Sequence, residues 1–220
     1  MSGPSAPLPD ARDVLIAASR LLYGRGWMAG TAGNLSLRAG TDGNDGFWIT
    51  ASGKAKGTLE RQDFVRMALD GRLDGQVLER GGPESRPSAE TSLHTVLYRL
   101  FPEAGACYHV HTVATNLATR LTEDDELFLA PIEMIKGLGV WEQSPRVSVA
   151  VLPNHLEVPR IAMELEDRFR AAPPRLPGFL IRDHGLTVWA PGPEAALNFV
   201  ELFDYIFECM VRARSAGIRW

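Results

Sequence analysis

The chain has 220 residues, 45% of them hydrophobic and 23% charged, which suits one globular domain with a real core and excludes general disorder. Its net charge of −4 argues against nucleic acid as the main partner, because binding a phosphate backbone needs a basic face. Two cysteines, Cys107 and Cys209, are too few for a disulfide scaffold. The first residues lack the basic start and apolar run of a signal peptide, and no stretch is long enough to cross a bilayer. A reducing, cytoplasmic setting without a membrane partner is expected.

Residues 1–10 read as a flexible tail and 11–220 as a single domain. Val14, Leu15, Ala18, Leu21 and Leu22 recur at helical spacing after Asp10, a fitting cap, and Gly24 and Gly26 end that helix. The Gly30–Asn34 stretch leads into an alternating strand at Leu35–Arg38. Turn signals at Asp42-Gly43 and Asp45-Gly46 precede a returning strand at Phe47–Thr50. A small loop, Ser52-Gly53-Lys54, follows, then a strand at Val65–Leu69, turns at Asp70-Gly71 and Asp74-Gly75, and a polar loop from Arg80 to Pro87. Ser88 opens a helix. Strand is expected at Ala106–His111, helix at Thr112–Arg120, strand at Val147–Leu152 and helix from Pro159 to Ala171. Two strands, Gly178–Ile181 and Leu186–Trp189, flank Arg182–Gly185, and a long helix runs from Pro193 to Ala213. Strands and helices alternate, which gives one α/β domain with helices on the faces of a sheet.

Five histidines are present. His109 and His111 flank one residue at the end of an apolar strand, where positions i and i+2 share a face. Two imidazoles on one face can bind one metal ion. His184 is the best third ligand, since it also ends an apolar strand and precedes Gly185, which permits a tight turn. Three histidines with an open fourth position make the donor set of a catalytic zinc site. His94, in a helix, and His155, in a polar loop, read as structural or surface residues.

Taken together, Gly33-Asn34-Leu35-Ser36, Thr50-Ala51-Ser52-Gly53-Lys54, Ser88-Ala89-Glu90, His109-Val110-His111 and His184-Gly185 resemble the class II aldolase and adducin family of zinc enzymes. They occur in the family's order across almost the whole chain. Glu133-Met134-Ile135-Lys136-Gly137 and Arg182-Asp183-His184-Gly185-Leu186-Thr187-Val188-Trp189 are most similar to a branch that dehydrates a sugar phosphate. The resemblance implies a mainly antiparallel sheet covered by helices on both faces, and one zinc ion per subunit on His109, His111 and His184. It also implies Glu133 as general acid/base and a homotetramer with active sites near subunit contacts. Glu90 is kept as a second acid/base or a residue beside the metal. Gly33, Asn34, Ser52, Gly53 and Ser88 are expected to hold the phosphate, with Lys54 either adding charge or standing in solvent. Two alternatives stay open: an aldolase or epimerase acting on another sugar phosphate, and a non-catalytic interaction protein on the same fold.

Overall fold

The computed structural model describes residues 9–39, 46–73 and 86–218. The turn signals at Asp42-Gly43 and Asp74-Gly75, and most of the polar loop before Pro87, lie outside them. Helix α1 (Ala11–Gly24) starts on Asp10, whose carboxylate accepts the Arg12 backbone N–H, and it buries Leu15, Ala18 and Leu22. Strands β1 (Asn34–Ala39), β2 (Gly46–Thr50) and β3 (Phe64–Ala68) follow, then α2 (Thr91–Leu100), β4 (Ala106–Val110) and α3 (Val113–Ala118). The chain continues through β5 (Glu126–Phe128), β6 (Ser148–Leu152), α4 (Val158–Ala171), β7 (Gly178–Ile181), β8 (Gly185–Ala190) and α5 (Pro193–Ser215).

Among the described residues, eight strands form one sheet in the order β3-β2-β1-β4-β8-β7-β6-β5. Every pairing is antiparallel except β6 with β7. Alternation along the strands sends side chains to two cores. Leu35, Tyr108 and Val188 lie opposite one another across β1, β4 and β8 and pack with Leu15 and Leu22 of α1 and Phe203 and Phe207 of α5. On the other face Cys107 and Trp189 pack with Leu93 and Leu97 of α2 and Ile161, Leu165 and Phe169 of α4. Each fully buried Leu, Ile or Phe contributes roughly 1.5–3 kcal/mol relative to exposure. The expected architecture of a mainly antiparallel sheet with helices on both faces is present.

Local boundaries differ from the sequence reading in several places. Helix α2 begins at Thr91, with Glu90 in the capping position, rather than at Ser88. Helix α3 is shorter than expected and tightens into a 3-10 turn at Thr119–Leu121. Strand β5, of three residues, and a 3-10 helix over Glu133–Leu138 were not foreseen; both are too short for a repeating pattern to build up.

Candidate metal centre

The centre of the sheet places the site. Asn34 of β1, His109 of β4 and Thr187 of β8 stand opposite one another across three adjacent strands. Two residues beyond His109, where β4 has ended, His111 donates its backbone N–H to the Trp27 carbonyl at 2.9 Å. His184 occupies the turn between β7 and β8 and arrives beside the same strand end. Nitrogen atoms of His109, His111 and His184 all lie within 4.8 Å of one another, and the His109 and His111 Nε2 atoms are 2.9 Å apart.

Gly185 is what lets the turn come so close. A Cβ there would meet the Val110 carbonyl oxygen at 2.3 Å and the rings of His109 and His111 at 3.2 Å. The turn is held from beneath: Asn116 Nδ2 donates to the His184 carbonyl at 2.9 Å, and the Arg182 guanidinium reaches the carbonyls of Thr119 and Thr122.

The outer nitrogens of His109 and His184 are also engaged. His109 Nδ1 lies 2.9 Å from Thr187 Oγ1. His184 Nδ1 lies 3.2 Å from Asn154 Oδ1; that oxygen can only accept, so Nδ1 carries the proton and Nε2 keeps its lone pair. Burial pushes His109 well below the usual imidazole range, helped by His111 and His184. Burial also brings His111 down to about 4, with His184 adding to the shift and Glu90 opposing it. His184 is lowered by burial and partly restored by Glu90. All three rings are thus neutral near pH 7, the form that binds a metal.

Glu90 reaches the cluster from the start of α2. Its Oε2 accepts from Ser88 Oγ at 2.7 Å and from Asn34 Nδ2 at 3.0 Å, and its Oε1 lies 3.7 Å from His184 Nε2. Asn34 is 1% exposed, and among the described residues its Oδ1 has no hydrogen-bond partner. Gly33 adopts φ +73, and a Cβ there would meet Met28 Cε at 2.7 Å and the His109 carbonyl oxygen at 2.8 Å. The glycine is needed for the loop to lie against β4.

Residues 13–211 match the class II aldolase and adducin N-terminal domain. The chain belongs to the class II aldolase and adducin family. Among its relatives in this family, a methylthioribulose-1-phosphate dehydratase of Microcystis aeruginosa is 50% identical over 94% of this chain and 97% of its own length. One of the same name from Leptospira biflexa is 41% identical over 88% of this chain and 93% of its own. Among solved structures, L-fuculose-1-phosphate aldolase from Thermus thermophilus superposes with a TM-score of 0.69 at 23% identity, covering 94% of this chain and 98% of that one, a likeness of fold.

The other residues singled out from the family pattern fall in several settings. Ser88 donates a hydrogen bond from its hydroxyl to Glu90, so it supports the carboxylate. The Ser52 backbone N–H is bonded to the Arg86 carbonyl at 2.8 Å, and Gly53 turns the loop with φ +71. Lys54 pairs with Asp63 at 3.0 Å. Glu133 opens the 3-10 helix with its side chain 80% exposed and pairs with Lys136 at 2.8 Å; the fold does not bring it into the hydrogen-bonded group around His184. His94 is fully buried and bonded through Nδ1 to Ser36 Oγ at 2.7 Å, and His155 pairs with Glu164. Both keep the structural roles expected of them.

The sequence reading missed Lys56. It lies in a 3-10 turn at Lys56–Thr58 and is 2% exposed. Its Nζ donates to the carbonyls of Thr31 at 2.7 Å and Lys54 at 2.8 Å. Burial lowers it to about 8 against the opposing pull of Glu90. Its charge also acts on His111.

Proposed function

We propose that the chain is a zinc-dependent hydro-lyase that converts 5-methylthioribulose 1-phosphate to 5-methylthio-2,3-dioxopentyl phosphate and water, a step of methionine salvage. The observation that carries the proposal is the convergence of His109, His111 and His184 in a chain half identical to a relative named for that reaction. Three neutral imidazoles, two of them fixed by partners on the far ring nitrogen, fit zinc by donor type and by the support that metal-binding histidines usually have.

The reaction makes two demands on the protein. A proton must leave C3, beside the C2 carbonyl, and the C4 hydroxyl must depart as water. When bound, the zinc supplies a Lewis acid that stabilises negative charge developing on the C2 oxygen. His109, His111 and His184 would hold it. Asn34, through its Nδ2, holds Glu90 in place beside the cluster. Glu90, with Oε2 fixed by two donors, presents Oε1 beside His184 and can hold a proton there. Glu133 is assigned the main acid/base role on the family pattern. Its exposure suits a carboxylate that serves the site of a neighbouring copy in a homotetramer. Gly33, Gly53 and Ser52 form the rim for the phosphate.

An aldolase on the same fold would break C3–C4 and release two fragments. The deciding assay supplies methylthioribulose phosphate to the purified chain and measures zinc alongside. Loss of water with about one zinc per chain supports the dehydratase. Fragment release moves the assignment to an aldolase, and a chain that neither holds zinc nor turns over under added zinc is a binding protein.

A further inference from the structure

We infer that Lys56 is a positioning residue that locks the two glycine loops beside the histidine cluster into a single anion-binding rim; the inference rests on the sugar-phosphate reading above. The contacts form a closed circuit. From Thr31, whose carbonyl accepts from Lys56 Nζ, the circuit passes to the Lys54 carbonyl on the same ammonium. Two residues back along the chain, the Ser52 N–H binds the Arg86 carbonyl. Two residues on from Arg86, Ser88 binds Glu90, and Glu90 binds Asn34, three residues after Thr31. Lys56 is the junction between the Gly30–Gly33 loop and the Ser52–Lys54 loop.

A scaffold link alone does not call for a charge here. Burying an ammonium is costly unless it is well partnered, and a neutral donor could hold two carbonyls at less cost. The two carbonyls take two of its three hydrogens. The turn is itself anchored, since Ser19 Oγ donates to the Lys56 carbonyl at 2.7 Å and a Cβ at Gly57 would meet the Tyr23 ring at 2.7 Å. The ammonium is therefore held in place beneath loops whose backbone is shaped for close approach. A fixed positive charge at that point favours a dianionic phosphate above it. The paired Lys54 is a weaker candidate for this work, because its charge is shared with Asp63 at a more exposed position.

The test compares wild type, Lys56→Met and Lys56→Arg as zinc-loaded full chains. Binding of inorganic phosphate is followed by calorimetry, together with KM, kcat, zinc content and thermal midpoint. Loss of the ammonium that ties the Thr31 and Lys54 carbonyls together should weaken phosphate binding and raise KM in Lys56→Met by about tenfold or more. Zinc content should hold and kcat should change less than KM, with Lys56→Arg recovering most of the loss. A Lys56→Met chain that binds phosphate within about twofold of wild type, or that loses thermal stability with unchanged KM, overturns the inference. So does equal impairment of the Arg and Met variants. Should Lys56→Met not fold, Lys56→Gln takes its place, and failure of both to fold marks Lys56 as scaffold and also overturns it. If phosphate binding depends on Lys56 but methylthioribulose phosphate is not turned over, the rim stands and the proposed reaction falls. If the reaction proceeds in wild type while inorganic phosphate does not bind, the reaction stands and the rim falls.

Discussion

His109 and Glu133 were both marked by short sequence motifs, yet the fold treats them differently. His109 is fully buried between two strands, faces Asn34 and Thr187 across the sheet, and meets two more imidazoles within one chain. Glu133 stands at the start of a single 3-10 helix, largely exposed and tied to Lys136. A ligand set needs fixed geometry, which strand register provides. An acid/base group needs only to reach the substrate, and an exposed carboxylate can do that in a neighbouring copy. The contrast teaches that the three candidate metal ligands meet within one chain, whereas the acid/base role proposed for Glu133 would draw on a neighbouring copy.

The largest expected effect tests the buried half. His111→Ala removes one of three ligands, so bound zinc should fall to about a tenth of wild type and activity by about a thousandfold or more. Metal analysis of the purified variant checks this, and full zinc occupancy would break the cluster as a metal site. The next effect tests the exposed half. Glu133→Gln should keep zinc and lose about a hundredfold in kcat, because the amide cannot accept a proton. Glu90→Gln is its control. If Glu133→Gln is fully active while Glu90→Gln is dead, the proton work belongs beside His184 and assembly is not required for it.

The parts of the site that were legible came from strand and turn chemistry. His109 and His111 share a face by the two-residue period, and Gly185 marked the tight approach of His184. The role of Glu90 was half legible: its place at a helix start could be read, but its bonds to Asn34 and Ser88 depend on which strand neighbours which. Nothing local places β8 between β4 and β7. Lys56 was hidden because Lys54 and Lys56 look alike in sequence. The 3-10 turn packs beneath α1 and buries one, while the other meets Asp63. A glycine after Lys56, pressed against Tyr23, was the faint signal available.

Protons give a smaller test of the buried half. Burial brings His94 down to about 3, against about 6.5 in an unfolded chain. Below pH 6.5 the unfolded chain therefore binds a proton that the native fold refuses, and stability falls with pH across that window. From pH 7.5 to 5 the zinc-free chain should lose about 2 kcal/mol through His94 alone, with His111 adding in the same direction. Urea unfolding at the two pH values measures it, and a flat profile contradicts the neutral, buried assignment.

The smallest expected effect asks whether hydrogen bonding or packing aligns the ring of His109. Thr187→Val keeps the shape of the side chain and removes the oxygen 2.9 Å from Nδ1. The His109 ring is then left with its backbone hydrogen bond to Leu186 alone to favour the tautomer that leaves Nε2 with a lone pair. Zinc affinity should drop by about tenfold, read by competition with a chelator, and Thr187→Ser should restore it. Affinity unchanged in Thr187→Val would mean that the strand backbone at Leu186 and the contact with Gly185 orient the ring without the hydroxyl. Register, rather than the hydroxyl, would then be the whole reason that the buried half is preformed while the Glu133 half is not.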